Sequence, residues 1–457
     1  MGMSAFSPRS PSQSPIREFR IKDWLLYAFA ALYPLMVFSV FFSRDSVPLW
    51  IVVLLAALLL AEVLQHNGEF WTERSMTYLF LFLVAYVCST YRILDADANM
   101  TWLGRTQADR AVSTTLRVAY VVAVFFTFVN VLASTSEDVI RRIFVIQIWC
   151  GAIVALFGIL QFLTYTILGS DVLTRIEPTN ETFGKGAYYL QKIGSERVFR
   201  ASGIFKEPSS FGFFLAPLIV KLIVGTARNV KIGARWTSYA LLAIYGFAVL
   251  INVSLTGILT LAVLAAFFLI SRIRRSPVGG IGVVALVCCV AAVLVVTPLG
   301  SLVGYRISNI FEFRDPSTID RVSRIAIGAV VFMNHPWAGV GPGIFAFWYP
   351  ALGGLDRSTM ATPLNIWLNV LTDVGIIGFI PFVAFLYRVL HKANRVRKQV
   401  PMVAVYFWSA LSYLLLLSTT DIWYIEIVWF EFAVLLVISR FIAPNGITVL
   451  PQDSSTT

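Results

Sequence analysis

The chain has 457 residues, 58% of them hydrophobic and only 13% charged, with a formal net charge of +11 and a mean hydropathy of +0.77. Soluble domains carry about a quarter charged residues, so a soluble globular protein is excluded, and runs such as Ile51–Leu60 lack the alternation of a transmembrane barrel strand. The positive surplus has to be divided between the two sides of a membrane before it implies a partner, and no nucleic acid is expected.

Residues 1–23 are polar and basic and run straight into an apolar segment from Trp24. They read as a cytoplasmic leader before a retained first span, not as a cleaved signal peptide. Apolar runs of membrane-crossing length then recur, at 24–42, 47–64, 76–91, 117–133, 143–168, 210–227, 236–252, 254–271, 280–298, 363–387, 401–419 and 422–439. The expected fold is therefore all-α: a polytopic membrane protein of about twelve transmembrane helices. One membrane domain covers 24–442, with larger outer loops at about 170–209 and 299–362 that contain short helices, and a short polar tail at 443–457. Basic clusters at the N-terminus, Arg141–Arg142, Lys221–Arg235, Arg272–Arg275 and Arg388–Lys398 fall on one side in short loops. That density makes their side cytoplasmic and places both termini inside. Cys88, Cys150, Cys288 and Cys289 all fall within spans, where buried small apolar side chains explain them better than disulfides or metal ligands. His66, His335 and His391 are too scattered for a metal cluster.

Both long loops lie on the outer side, and each sets arginines beside a Gly/Pro turn. The first reads "RASGIFKEPSSFG", in which Arg200 precedes Glu207, Pro208 and Ser209 at a span start. Pro favours the first turn of a helix, Ser caps orphan N–H groups, and a helix start beside an arginine favours an anion. The same residues also fit an ordinary span start with a snorkelling arginine. The second loop contains a surface helix at Ser317–Met333, where Val322, Ile325, Ala329 and Phe332 follow 3,4,3 spacing as an apolar stripe. Arg321 and Arg324 are i,i+3 neighbours on nearly one face. Two guanidinium groups there grip a diphosphate bidentately, or meet lipid phosphates if the helix is merely interfacial. His335 and Pro336 lead into "GVGPG" (Gly339–Gly343), whose glycines, Gly341 and Gly343 among them, permit positive φ and close backbone approach to a ligand. A lone histidine at such a corner is either a hydrogen-bonded structural residue or a base. Asp373, Glu426 and Glu431 are acids inside spans. Asp373 and Glu426 are placed to line an outward cavity and Glu431 lies deeper, unless they are structural partners of arginines or backbone donors.

These segments resemble the O-antigen ligase and polymerase superfamily, membrane glycosyltransferases that use polyprenyl-diphosphate-linked saccharides. Arg200 in "RASGIFKEPSSFG" falls on the family's arginine. "RVSRIAIGAVVFMNHPWAGVGPGIF" (Arg321–Phe345) is similar to its arginine-led helix, His-Pro and Gly-rich turn. "LNIWLNVLTDVGIIG" (Leu364–Gly378) is similar to the span that follows. The ligases begin that third piece with a His-Asn pair in which the histidine is considered catalytic; here the pair is Leu364–Asn365. Glu207-Pro208-Ser209 also departs from the Asn-Pro-Asn-like form of the ligases, and both departures favour a polymerase.

The resemblance implies an undecaprenyl-diphosphate-linked glycan as donor and metal-independent, inverting transfer in the bacterial inner membrane, with no cofactor. "DAD" at Asp95–Asp97 is remote from both loops and makes no metal motif. Arg200, Arg321 and Arg324 are expected to hold the diphosphate, with Glu207 as first and His335 as second candidate base. Membrane lipids, and a flippase and chain-length regulator of the same pathway, are the expected partners. The alternatives are a ligase transferring glycan to lipid A core, a lipid-linked oligosaccharide transporter, and a non-catalytic assembly scaffold. A transporter predicts inverted repeats and midplane charges, which are not evident, although the break at Asn252–Gly257 fits one.

Overall fold

The computed structural model describes residues 21–37, 47–66, 70–95, 101–169, 190–193, 196–205, 207–252, 316–354, 361–420 and 423–440, with isolated positions at 173 and 308 and between 254 and 265. The leader up to residue 20, the tail, most of the spans at 254–271 and 280–298, Cys288, Cys289, Asp97 and parts of both outer loops lie outside the described residues.

The fold is mostly helical. Its helices are α1 (Ile21–Leu32), α2 (Val47–His66), α3 (Arg74–Ser89), α4 (Gln107–Ala133), α5 (Glu137–Leu168), α6 (Pro208–Ala227), α7 (Arg235–Asn252), α8 (Pro316–Asn334), α9 (Phe345–Ala351), α10 (Ile366–Val396), α11 (Pro401–Leu417) and α12 (Glu426–Ile438). Among the described residues there are also two small antiparallel ribbons: β1 (Thr101–Trp102) with β2 (Arg105–Thr106), and β3 (Leu190–Ile193) with β4 (Glu196–Phe199). By length and apolarity, α4, α5, α6 and α10 each qualify to cross a membrane, and stretches of α2, α7 and α11 are shorter apolar helices.

Local chemistry explains where these helices start and stop. The span expected at 117–133 begins ten residues earlier, because Thr106 and Asp109 form a capping box. Thr106 Oγ1 accepts from the Asp109 N–H at 3.1 Å, and Asp109 Oδ2 accepts from the Thr106 N–H at 3.1 Å. Glu137 and Asp138 open α5, favoured by the helix dipole, and Gly169 closes it at φ 60° by donating its N–H to the Tyr165 carbonyl.

At the centre lies α12, buried on every side from Ile427 to Ile438, as expected of a helix that is apolar all round. Phe430 packs against Phe29 at 5.1 Å and Phe128 at 4.9 Å between ring centroids, and Trp429 stacks on Phe385 at 6.1 Å. The outer rows run the other way. Ile153, Leu156, Leu160 and Ile167 on α5, and Phe80, Leu81, Val84 and Val87 on α3, are exposed, which suits contact with lipid chains. Cys88 sits in that exposed row, so the burial expected of it does not hold; Cys150 is half-buried.

Lys221 is a second correction. It belongs to no cytoplasmic cluster: it is 1% exposed inside α6 and pairs with the fully buried Glu431 of α12. Its ammonium also donates to Gln147 Oε1 of α5 at 2.5 Å and lies 4.7 Å above the Tyr406 ring, while Ser409 Oγ of α11 donates to Glu431 Oε2 at 2.9 Å. A charge this deep is tolerable only when paired and hydrogen-bonded, and the pairing joins four helices.

Candidate functional site

The segment before α6 is tied to the end of α7. Asn252 is fully buried, and its Nδ2 donates to the Ala201 carbonyl at 2.8 Å and the Pro208 carbonyl at 2.7 Å. Arg200 Nε donates to the Asn252 carbonyl at 3.3 Å, and Gln161 Nε2 to the Gly203 carbonyl at 2.7 Å. The end of α7 therefore holds this segment. Pro208 takes the first turn of α6 as expected, but the cap position is Glu207 and makes no side-chain cap bond. Ser209 Oγ instead donates to Glu207 Oε2 at 2.9 Å, orienting the candidate base.

In the second segment, α8 spans the stretch expected to be helical, and its two arginines diverge. Arg321 donates to the Thr419 carbonyl, just past α11, at 3.0 Å. Arg324 is buried, donates to Asp320 Oδ2 at 2.8 Å and lies 5.3 Å above the Tyr349 ring, whose hydroxyl donates to Asp320 Oδ1 at 2.9 Å. The apolar edge of the helix faces outward: Val322, Ile325, Val330 and Met333 are exposed, and Trp337 beyond its end is 69% exposed. That exposed apolar edge suits contact with lipid, while Arg324 on the other side is buried.

The Gly-rich turn sits under this helix. Gly339, Gly341 and Gly343 all have positive φ, as their spacing predicts. What approaches them closely is protein: a Cβ on Gly339 would lie 2.5 Å from the Thr372 carbonyl oxygen, and one on Gly343 would lie 3.1 Å from Arg110 Cγ. Asp373 is fully buried, its Oδ1 accepting from the Gly343 N–H at 3.0 Å and its Oδ2 from the Tyr86 hydroxyl at 3.1 Å. Glu426 accepts from the Tyr120 hydroxyl at 2.6 Å and is half-buried. His335 packs against Trp348, 5.6 Å between ring centroids.

Partial burial, and then the charge of Arg92, hold the His335 imidazole below the ordinary histidine value. The neutral ring is thus favoured in the folded protein, and the stability it contributes is lost as pH falls below the ordinary histidine value. Arg92→Gln removes a positive neighbour, so the pKa of His335 is expected to rise. Site-resolved reactivity toward diethyl pyrocarbonate, followed against pH, should show its midpoint moving up; an unmoved midpoint would contradict the coupling.

Sequence reasoning missed three arginines: Arg92, the buried Arg110, and Arg117, whose guanidinium lies 5.3 Å above the Tyr424 ring. The signal was present in "RAVSTTLRVAY", where Arg110, Thr114, Arg117 and Tyr120 recur at 4,3,3 spacing, one face of a helix. Among the described residues, no three His, Cys, Asp or Glu side chains converge as metal ligands.

Several of these parts meet at Ser418–Thr419. Arg321 binds the Thr419 carbonyl, Asn365 Nδ2 donates to the Ser418 carbonyl at 2.7 Å, and Trp367 Nε1 donates to Ser418 Oγ at 2.8 Å. The Phe213–Tyr413 ring contact, 5.5 Å, sets α6 against α11; Glu207 lies six residues before Phe213 and Thr419 six residues after Tyr413. The start of α6 and the end of α11 thus lie toward one end of this pair.

Residues 240–383, about a third of the chain, match the family model described as O-antigen ligase. The match takes in Arg321, Arg324, His335, the Gly-rich turn and Asp373. No curated protein matches the chain.

Proposed function

With residues 240–383 matching the O-antigen ligase family and so supporting the O-antigen ligase/polymerase superfamily, we propose that this protein polymerises a bacterial surface polysaccharide, O-antigen or exopolysaccharide. It sits in the inner membrane with about twelve spans and both termini in the cytoplasm, and works on the periplasmic face. Its donor is a glycan on undecaprenyl diphosphate. An acceptor sugar hydroxyl attacks the anomeric carbon, the new C–O bond forms as the bond to the diphosphate breaks, and the electron pair leaves with the diphosphate. The hydroxyl proton passes to Glu207, with His335 as second candidate. Arg200 and Arg321, with Arg324 behind them, face the charge that develops on the leaving group, a contribution that needs no metal. Attack in a single displacement inverts the anomeric centre.

The observation that supports this reading is that Arg321 binds the Thr419 carbonyl just past α11, while the Phe213–Tyr413 contact packs α6, which begins after Glu207, against that same helix. Leu364, where the ligases carry a histidine, adjoins Asn365 at this junction. It adopts a left-handed conformation at φ 51°, which His or Asn enters more readily than Leu. The backbone there accommodates the ligase residue, so its replacement by an apolar side chain favours polymerisation by a route without that base.

Arg321→Ala is expected to abolish the polysaccharide ladder at unchanged protein level, a rate loss of about a hundredfold or more. Arg321→Lys should not restore it, since lysine lacks the bidentate fork. An unchanged ladder would sink the assignment. The second reading, a ligase acting on lipid A core, is favoured by the description of the matching family. A chromosomal deletion separates the two: one attached repeat remaining indicates polymerase, and loss of all attachment indicates ligase.

A further inference from the structure

The Gly-rich turn and α10 are joined through their backbones. In an unbroken helix the carbonyls of Thr372 and Asp373 would accept from the N–H groups of Ile376 and Ile377. Gly375 prevents this, with φ 61° and ψ −164° inside α10. These four groups are all taken up by residues 336–341. The Val340 N–H donates to the Thr372 carbonyl at 2.8 Å and the Gly341 N–H to the Asp373 carbonyl at 3.1 Å. In return, the Ile376 N–H donates to the Pro336 carbonyl at 2.8 Å and the Ile377 N–H to the Trp337 carbonyl at 3.1 Å. Two donors and two acceptors are thus exchanged on each side, which keeps these buried backbone groups paired.

Such an approach needs bare α-carbons, and both partners supply them: Gly339 against the Thr372 carbonyl, and Gly375 against Trp337 and Ala338. The backbone exchange stops at Gly341. Beyond it, the Asp373 carboxylate continues the join by accepting the Gly343 N–H through one oxygen and the Tyr86 hydroxyl of α3 through the other. One side chain therefore links the far end of the turn, α10 and α3.

What hangs from this join is the proposed site. His335 precedes the turn, and its carbonyl accepts the Gly339 N–H at 3.1 Å. It also ends the helix that carries Arg321 and Arg324. We infer that Asp373 is a positioning residue, a buried acceptor that seats the Gly-rich turn and thereby sets the height of His335 and the arginine helix. It neither carries the acceptor's proton nor touches the diphosphate. The inference about what is positioned rests on the proposed transferase reading; the seating of the turn does not.

Asp373→Asn keeps the oxygen that accepts from Gly343, whereas Asp373→Ala removes it. Hydrogen–deuterium exchange of the peptide around 336–347 in nanodisc-embedded protein reads the turn without reference to activity, and the polysaccharide ladder in a complemented deletion strain reads the site. Asp373→Ala is expected to raise exchange across the turn about tenfold and to lose the ladder. Asp373→Asn should retain both, and Tyr86→Phe, which removes one of the two bonds, should fall between. If Asp373→Asn loses the ladder while exchange stays at the native level, the carboxylate acts on substrate or proton and the inference is overturned. It is also overturned if Asp373→Ala leaves exchange native. Should Asp373→Ala fail to fold, the Asn and Phe variants carry the same comparison. A ladder insensitive to Arg321→Ala would count against the transferase reading alone, with the exchange results still deciding the role of Asp373.

Discussion

Lys221→Ala is expected to cost about 3–5 kcal/mol of stability, as is Glu431→Ala, because each leaves a buried charge without its partner. The remaining neighbours are too weak to compensate. Without Lys221, Glu431 keeps Ser409 and Gln147, neither of them charged; without Glu431, Lys221 keeps Gln147 and the Tyr406 ring. The paired replacement Lys221→Met with Glu431→Leu should recover most of the loss, since exchanging a buried ion pair for apolar side chains of similar volume is often neutral or stabilising. Thermal unfolding in detergent, followed by the fraction that remains monodisperse, measures all three variants. If the single variants unfold with the native protein, the pair does not hold α5, α6, α11 and α12 together. If the double variant is as unstable as the singles, the cluster needs its charges for a reason beyond mutual neutralisation.

Neither half of that pair could be matched to the other from sequence, which shows what kind of information the chain displays openly. Lys221 stands a few residues before Arg228 and Lys231, and one-dimensional proximity assigns it to their cluster; its partner is 210 residues away. The surface helix was legible because its signal is local. Val322, Ile325, Ala329 and Phe332 mark one face by spacing alone, and the helix runs from Pro316 to Asn334. The early start of α4 was legible in principle, since Thr106 and Asp109 spell a capping box, but hydropathy alone points to the apolar stretch beyond Arg117. The positive φ of the Gly-rich turn was also legible, and its purpose was not. Gly339 and Gly341 face Thr372, Ser89 and Arg92, partners brought up by packing between distant segments. The junction at Ser418–Thr419 is of the same kind, made of long-range bonds, two of them to backbone carbonyls that any residue would supply.

Gly375→Ala is the substitution in which this long-range requirement meets the helix rules head on. By propensity alone, alanine in a helix is better than glycine by about 1 kcal/mol. Gly246, in α7, has nothing within 4 Å of the position a Cβ would occupy, so Gly246→Ala is expected to be neutral or to stabilise by that amount. At Gly375 the sign reverses. Its φ of 61° with ψ of −164° lies in a region essentially reserved for glycine, and a Cβ would fall 2.6 Å from the Ala338 nitrogen and closer still to the Trp337 carbonyl. The least costly response is for α10 to close its own hydrogen bonds across position 375, which expels the turn and strands the carbonyls of Pro336 and Trp337 and the N–H groups of Val340 and Gly341. Backbone strain costs about 1–3 kcal/mol, and expelling the turn instead leaves several buried groups unpaired at about 1–3 kcal/mol each, so the cost is at least about 1 kcal/mol by either route. The expected result is lowered thermal stability, fast exchange across 336–347 and no polysaccharide ladder, with Gly246→Ala native in all three. A Gly375→Ala protein that keeps its thermal stability and its protected turn would mean that α10 and the Gly-rich turn are not joined in this way.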